Sequence, residues 1–528
     1  MKNKKIEILD TTLRDGAQTP GVSFSLSDKL KIVKILDDFG IDYIEGGWPG
    51  SNPKDTEFFK EVKKLKLKNS KIVAFGSTRR KNTKPSHDKN LKAILESGVN
   101  VGCLFGKTWT LHVHKALQTT LEENLEMIYD SVRFLKQRGL EVIYDAEHFF
   151  NGYKDDKKYA LECLKAAYSA GADCLVLADT NGGCLPLEIA EIVKEVYEFL
   201  RNENMKVKLG IHAHNDSDCA VANTIVAVEN GCCHIQGTIN GLGERCGNAN
   251  LCSVIPALVF KLGYEVVPKE KLKMLTDISL EIYEISNFVP NDRQPYVGAL
   301  AFAHKGGVHA SAVLKDTKSY EHIDPKLIGN ERKILISELA GKSNLLFARH
   351  GMKIDLNEEH LNEIIKTIKQ KEHQGYFYEN AEGSFVILAL KTINKYKPFF
   401  QVNGFRVIIQ YNPEKKELVT EATLKIKIKD KQEHVVAEGD GPVNALDNAL
   451  RKALTKYYPH LKDVKLVDFK VRVVNPQAGT AAKVRVNIES MDDKHTWSTV
   501  GVSENIIEAS WEALVDAIEY KLLKHYKG

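Results

Sequence analysis

Short apolar runs alternate with longer amphipathic segments through the first half of the chain. The runs are KIEILD, DYIEGG, KIVAFGS, NVGCLF, LEVIYDAE, DCLVLADT, KLGIHAH and HIQGTIN. The segments between them place apolar residues three and four apart, as SDKLKIVKILDDFG does with Leu30, Ile32, Val33, Leu36 and Phe39. That spacing makes one apolar helix face, whereas the short runs suit buried strands. Gly40, Gly98, Gly139, Gly171 and Gly231 close helical segments, where a left-handed residue ends a helix most easily. Eight strand-then-helix units over residues 1–265 predict an α/β chain folded as a closed (β/α)8 TIM barrel, with an open doubly wound sheet as the structural alternative.

The pattern then changes twice. Residues 266–372 read as a mostly helical linker subdomain, with NERKILISELAGKSNLLFARHG as its clearest piece. Residues 373–528 read as an α+β unit. ATLKIKIKD alternates Leu424, Ile426 and Ile428 with lysines, and FKVRVV and AKVRVNIE alternate in the same way, so each predicts a half-buried strand. Strands lead into a helix at GPVNALDNALRKAL, with Pro442 at its first position, and again at SENIIEASWEALVDAIEYKLLK, with Ser503 as N-cap. This apparent repeat carries no catalytic cluster, which favours a binding or dimerisation role.

Composition narrows the function classes. Of 528 residues, 43% are hydrophobic and 27% charged, as in a soluble globular protein. A net charge of +4 is too small for a nucleic-acid binder, and no apolar run is long enough to span a membrane. The nine cysteines cluster between Cys103 and Cys252 without a CxxC pair, which reads as reduced, buried thiols and a cytoplasmic location.

The chemistry gathers where the runs end. In a barrel the strand ends form the active-site mouth, and here they carry DTTLRDG, EGGWPGSNP, FGSTRR, YDAEHF, LADTNG, HAHND and INGLGERCGNAN. His212 and His214 stand two apart and share one strand face, an arrangement that suits a divalent cation. Asp15 supplies a carboxylate and Asn248 an amide oxygen. The alternatives are two unrelated histidines bonded to backbone, Asp15 as a turn cap, and Asn248 as the cap of the helix starting near Leu251. The mixed donor set admits Zn, Mn or Mg. Arg14 could stabilise an oxyanion beside the cation, or form a structural ion pair with Glu45 or Glu147. Asp145 and Glu147 share an inward face, and Thr180 offers a hydroxyl to a substrate carboxylate or to the following turn. Arg79 and Arg80 read as a solvated basic loop, with the phosphates of CoA as the rival reading. GLGERCG is not a dinucleotide fingerprint, because its last interval is one residue too long; its glycines would let the backbone approach the site.

TLRDGAQ followed by Lys29, HAHND, and NGLGERCGNANL together resemble the 2-isopropylmalate, homocitrate and citramalate synthase family. EGGWPGSNPKD, YDAEHFFNGY and AFAHKGGVHASAVLKDTKSYEHIDP resemble its citramalate synthase branch, and Asp218 stands where the family usually has glycine. The resemblance implies a metal-dependent Claisen condensation of acetyl-CoA with pyruvate, followed by thioester hydrolysis to citramalate and CoA, on the route to isoleucine. It implies Asp15, His212, His214 and Asn248 as metal ligands, and Arg14 as the oxyanion stabiliser. Asp145, Glu147 and Thr180 would serve the keto acid. His309 and Tyr320 would reach into a partner subunit's site, which makes the chain a homodimer; Glu147 and His309 both stand as candidate bases, and His304 as a structural residue. Acetyl-CoA would be the co-substrate and isoleucine an effector at the C-terminal unit. The alternatives are 2-isopropylmalate or homocitrate synthase, a metal-dependent aldolase or lyase, a metal hydrolase, or a non-catalytic amino-acid sensor.

Overall fold

The computed structural model describes residues 4–51, 53–304, 309, 312–313, 315–334, 357–378, 381–413, 416–474, 476–493 and 495–527. Two compact units separate: Met1–Phe302 with Ile323–Glu331, and Ala303–His322 with Arg332–Gly528.

The first unit is built on eight parallel strands: β1 Glu7–Asp10, β2 Tyr43–Gly47, β3 Lys71–Ser77, β4 Val101–Lys107, β5 Glu141–Glu147, β6 Cys174–Asp179, β7 Lys208–Ala213 and β8 His234–Gly237. They pair in sequence order, and β1 closes on β8, so the sheet is a barrel rather than an open doubly wound sheet. The amphipathic segments form the helices outside it. The first, Leu26–Phe39, starts at a capping box between Ser25 and Asp28 and ends at Gly40 with φ 101°. Gly98, Gly139, Gly171 and Gly231 also take positive φ, as helix termination requires. Period-two alternation sorts the side chains into two cores. Leu9, Val73, Val101, Cys103, Ile143, Cys174 and Val176 fill the barrel interior. Ile8, Ile44, Ala74, Leu104, Leu175, Leu177 and Ile211 face the helices. The barrel is therefore packed through its middle, and the site is pushed to the C-terminal mouth.

Beyond the barrel the helical reading is corrected in part. The helix Leu275–Ile285 is followed, among the described residues, by loops, by helical residues at 309, 312–313 and 315, and by short 3-10 turns at Thr317–Ser319 and Pro325–Ile328. Lys333–Ile334, inside the segment read as the clearest helix, form a two-residue strand, β10, parallel to β9 at Ala303–His304. Asn330–Arg332 before it are loop, and 335–351 lie outside the described residues. A helix does follow at Glu358–His373.

The second unit contains the repeat. Two antiparallel three-stranded sheets each lead into a helix. The first has β11 Phe400–Asn412, β12 Glu417–Ile428 and β13 Lys431–Gly439, then the helix Pro442–Leu454. The second has β14 Lys465–Val473, β15 Val484–Met491 and β16 Thr496–Ser503, then the helix Ile506–Lys527. Leu424, Ile426 and Ile428 are fully buried, and Pro442 opens its helix. Two readings are corrected. Asn505, not Ser503, caps the last helix, its Oδ1 accepting from Ile507 N at 2.9 Å. FKVRVV is not half-buried: Phe469, Val471 and Val473 of β14 are exposed, like Ile408, Ile409 and Tyr411 of β11.

The cysteine reading holds for six residues; Cys219 and Cys233 are half-buried and Cys246 is exposed, all nine as free thiols. Among the described residues no helix is long and apolar enough to cross a membrane.

Candidate active site

Three side chains from opposite ends of the barrel sequence converge at the mouth. Asp15 follows β1, His212 is on β7, and His214 follows it. Asp15 Oδ2 lies 3.4 Å from His212 Nε2 and 4.0 Å from His214 Nε2, and the two Nε2 atoms are 3.3 Å apart. Atoms bound about 2.0–2.1 Å from one centre stand roughly 3 Å from each other, so this triangle has the size of one face of a metal shell. All three residues are buried. Asp15 begins a 3-10 turn, but its side chain makes no capping bond, so the carboxylate is not spent on the fold.

Asn248 is placed beside His214 by an antiparallel bridge. Its Nδ2 donates to Leu242 O at 3.1 Å, while its buried Oδ1 has no partner. Such an oxygen is costly unless something binds it. The cap of the next helix is Asn250, which leaves Asn248 without that structural duty. The glycine loop makes the approach possible: a Cβ at Gly247 would collide with Gly241 O.

Two imidazoles bind a cation only through lone pairs, and Gln236 on β8 sets this for His212. Its Nε2 donates to Asp145 Oδ1 at 2.8 Å, so its Oε1 must be the atom 2.8 Å from His212 Nδ1. His212 therefore donates from Nδ1 to Gln236 and turns Nε2 toward the triangle; burial works to lower its pKa, but Asp15 outweighs it and raises it, and Nε2 offers its lone pair to a cation once the second proton leaves. Burial, followed by the neighbouring His212, drives the His214 pKa down to about 3, so this ring is neutral. For Asp15, burial works to raise the pKa, but Arg14 and the two imidazoles outweigh it and hold the carboxylate ionised far below its usual range. The donor set of one carboxylate, two imidazoles and an orphaned amide oxygen fits a divalent cation.

Arg14 stands beside this triangle, its Nη1 3.4 Å from Asp15 Oδ2. The structural partner is Glu45, not Glu147: Arg14 Nε donates to Glu45 Oε2 at 2.6 Å. The guanidinium also lies 3.9 Å from the centre of the Phe75 ring. Phe75 belongs to a box with Trp48 and Phe105, with ring centres 5.3–5.6 Å apart, which makes an apolar wall at the mouth.

The remaining sequence candidates divide. Asp145 joins the site through Gln236. Glu147, at the end of β5, is ion-paired with Lys107 of β4. Thr180 accepts from His148 N at 2.8 Å through its hydroxyl, so it ties the loop after β5 and not the turn that follows Thr180 itself. His148 holds a left-handed backbone (φ 55°) and packs its ring 4.3 Å from that of His112. Arg79 is no solvated residue: it is buried and tied to Glu123 at 2.7 Å and Asp130 at 2.9 Å, while Arg80 is exposed. His309 and Tyr320 belong to the second unit, where their rings stack at 4.2 Å. Sequence reasoning missed Gln236 and Lys107; the only available signal for Gln236 was an amide inside a short predicted strand. Replacing it should be felt at the cation. Gln236→Leu is expected to weaken metal binding by about 10–100-fold, read by titration of metal into the stripped protein.

With this geometry in place, sequence comparison decides the family. The HMGL-like family profile matches residues 5–288. Over nearly full length the chain is 53% identical to the (R)-citramalate synthase of Geobacter sulfurreducens, covering 98% of each chain. It is 54% identical to that of Aquifex aeolicus, covering 99% of this chain and 98% of the other. The chain belongs to the HMGL-like family, alongside the (R)-citramalate synthases. Identity to a 2-isopropylmalate synthase, that of Methanocaldococcus jannaschii, is 30% over 99% of this chain and 96% of the other. Two further profiles follow the HMGL-like region: a homocitrate synthase post-HMGL domain over residues 296–375 and a LeuA allosteric (dimerisation) domain over residues 379–522.

Proposed function

We propose that this chain condenses acetyl-CoA with pyruvate and hydrolyses the resulting thioester, releasing (R)-citramalate and CoA. The observation that carries this reading is the gap between 53–54% identity to citramalate synthases and 30% to an isopropylmalate synthase, on a chain whose barrel mouth holds the Asp15–His212–His214 triangle. Asp15, His212, His214 and Asn248 would hold the cation. Bound there, a divalent cation supplies Lewis-acid polarisation of a chelating 2-keto acid.

The side chains supply the rest. Acetyl-CoA gives up a methyl proton, and the carbon left behind attacks the keto carbon, so negative charge builds on the former keto oxygen. The guanidinium of Arg14 is preorganised for that charge by Glu45 and Phe75 and costs no reorganisation when it forms. Asp145 and Thr180 lie at the strand ends that would receive the keto acid. Glu147, balanced by Lys107, and His309, stacked on Tyr320, are the two candidates for proton removal or for activating the hydrolytic water. Thiol release from acetyl-CoA, measured with pyruvate, 2-ketoisovalerate and 2-oxoglutarate in turn, tests the substrate. Pyruvate should win in kcat/KM; a preference for either larger acid would move the chain to another branch.

The second unit we read as the dimerisation and regulatory part. The support is the LeuA allosteric (dimerisation) match together with the exposed apolar residues on β11 and β14, each an edge strand of its sheet. Exposed apolar edges invite a second chain. We assign a homodimer in which His309 and Tyr320 of one chain serve the barrel of the other, with isoleucine as the effector. Isoleucine should inhibit the full-length enzyme and leucine should not; indifference to isoleucine removes the regulatory assignment.

A further inference from the structure

One carboxylate in the second unit ties together three stretches that are distant in sequence. Glu321 Oε1 accepts from Arg332 Nε at 2.6 Å and lies 3.2 Å from His304 Nε2, while Oε2 accepts from Arg332 Nη2 at 2.6 Å. The arginine fork is the two-point match of guanidinium to carboxylate. The Glu321 side chain is only 3% exposed. The β9–β10 pairing reinforces the tie by setting His304 opposite Ile334, two residues past Arg332.

Tyr320, immediately before this anchor, is 46% exposed and stacks on His309 with the rings 27° apart. The local backbone is a three-residue 3-10 turn, Thr317–Ser319, capped by Asp316. Tyr320 N and Glu321 N both donate to Thr317 O, at 3.3 and 3.0 Å. So short a turn cannot fix an exposed ring by itself. A buried charge network is a poor source of net stability, because desolvation offsets much of the attraction, but it specifies a geometry well. The residue next to this network is Tyr320, whose ring is half of the stack.

We infer that Glu321, held by Arg332 and His304, is a positioning residue for the Tyr320–His309 pair, fixing the pair before substrate arrives. The inference rests on the reading that this pair acts on bound substrate. Fixing reacting groups in advance lowers the barrier without changing ground-state affinity. The loss should therefore fall on kcat.

The test is steady-state kinetics on full-length, metal-loaded Glu321→Gln, Tyr320→Phe and the double variant, with metal content and thermal melting recorded for each. Glu321→Gln keeps the size and loses the charge that holds the fork. Its kcat should fall about 10–100-fold with both KM values within about twofold. The double variant should be no slower than Tyr320→Phe, because residues acting as one unit do not add. Wild-type kcat in Glu321→Gln, or losses that multiply in the double variant, overturns the inference. Arg332→Lys keeps the charge and breaks the fork; it should show a smaller loss confined to kcat and decides the matter if Glu321→Gln does not fold, with wild-type kcat again the overturning result. Full activity in both Tyr320→Phe and His309→Asn would instead remove the pair from the reaction, and the inference with it, while leaving the barrel assignment standing.

Discussion

Asp15→Asn and His212→Ala should each give a folded chain that no longer retains its cation and turns over at least about 10³-fold more slowly, since Lewis-acid stabilisation is worth several kcal/mol. Asp15 is the one anionic donor of the triangle, and its carboxylate caps no helix, so the amide removes the donor and leaves the local turn intact. His212 contributes a lone pair whose direction is set by Gln236, and no neighbour in the triangle can replace it. Metal analysis of the purified variants, together with the thiol-release assay, checks both parts. A variant that keeps its metal and near-normal activity would remove the assigned centre.

The second large effect is expected at Arg14. Arg14→Lys should retain the cation and lose about 10²–10³-fold in kcat, the usual loss when one oxyanion donor is removed. Lysine keeps a charge but cannot present a planar group that lies on Phe75, donates to Glu45 and faces Asp15 together. Alanine is a worse probe. Glu45 is fully buried with one carboxylate oxygen already lacking a partner, so deleting its cation would add a stability loss. Metal content equal to wild type alongside the depressed kcat separates this role from that of Asp15. An unchanged kcat would show that the oxyanion is stabilised elsewhere.

The barrel could be read from sequence because its rule is local. Each strand announces itself by a short apolar run, and glycines such as Gly40 and Gly171 mark helix ends by backbone geometry that few other residues tolerate. His212 and His214 were legible because two residues on one strand must face the same way. Gln236 was not, since its meaning comes from register: it lies opposite His212 across β7–β8, and no periodicity reports who stands opposite. Lys333–Ile334 escaped for a related reason. Their strand exists only through pairing with Ala303–His304, some thirty residues earlier, and a helical spacing of apolar residues cannot see that. Alternation in FKVRVV correctly reports which residues share a face, but it cannot say whether the chain itself covers that face, and on β14 it does not. Arg79 shows the converse error. A basic pair in a loop looks solvated until Glu123 and Asp130 arrive from a distant helix.

Everything in the reaction proposed here passes through the cation site, and X-ray absorption on the metal-reconstituted full-length protein addresses it most directly. Imidazole ligands leave multiple-scattering features that carboxylates, amides and water do not. The wild-type spectrum should show a nitrogen and oxygen shell containing two imidazoles. A wild-type shell without imidazole would contradict the assigned site.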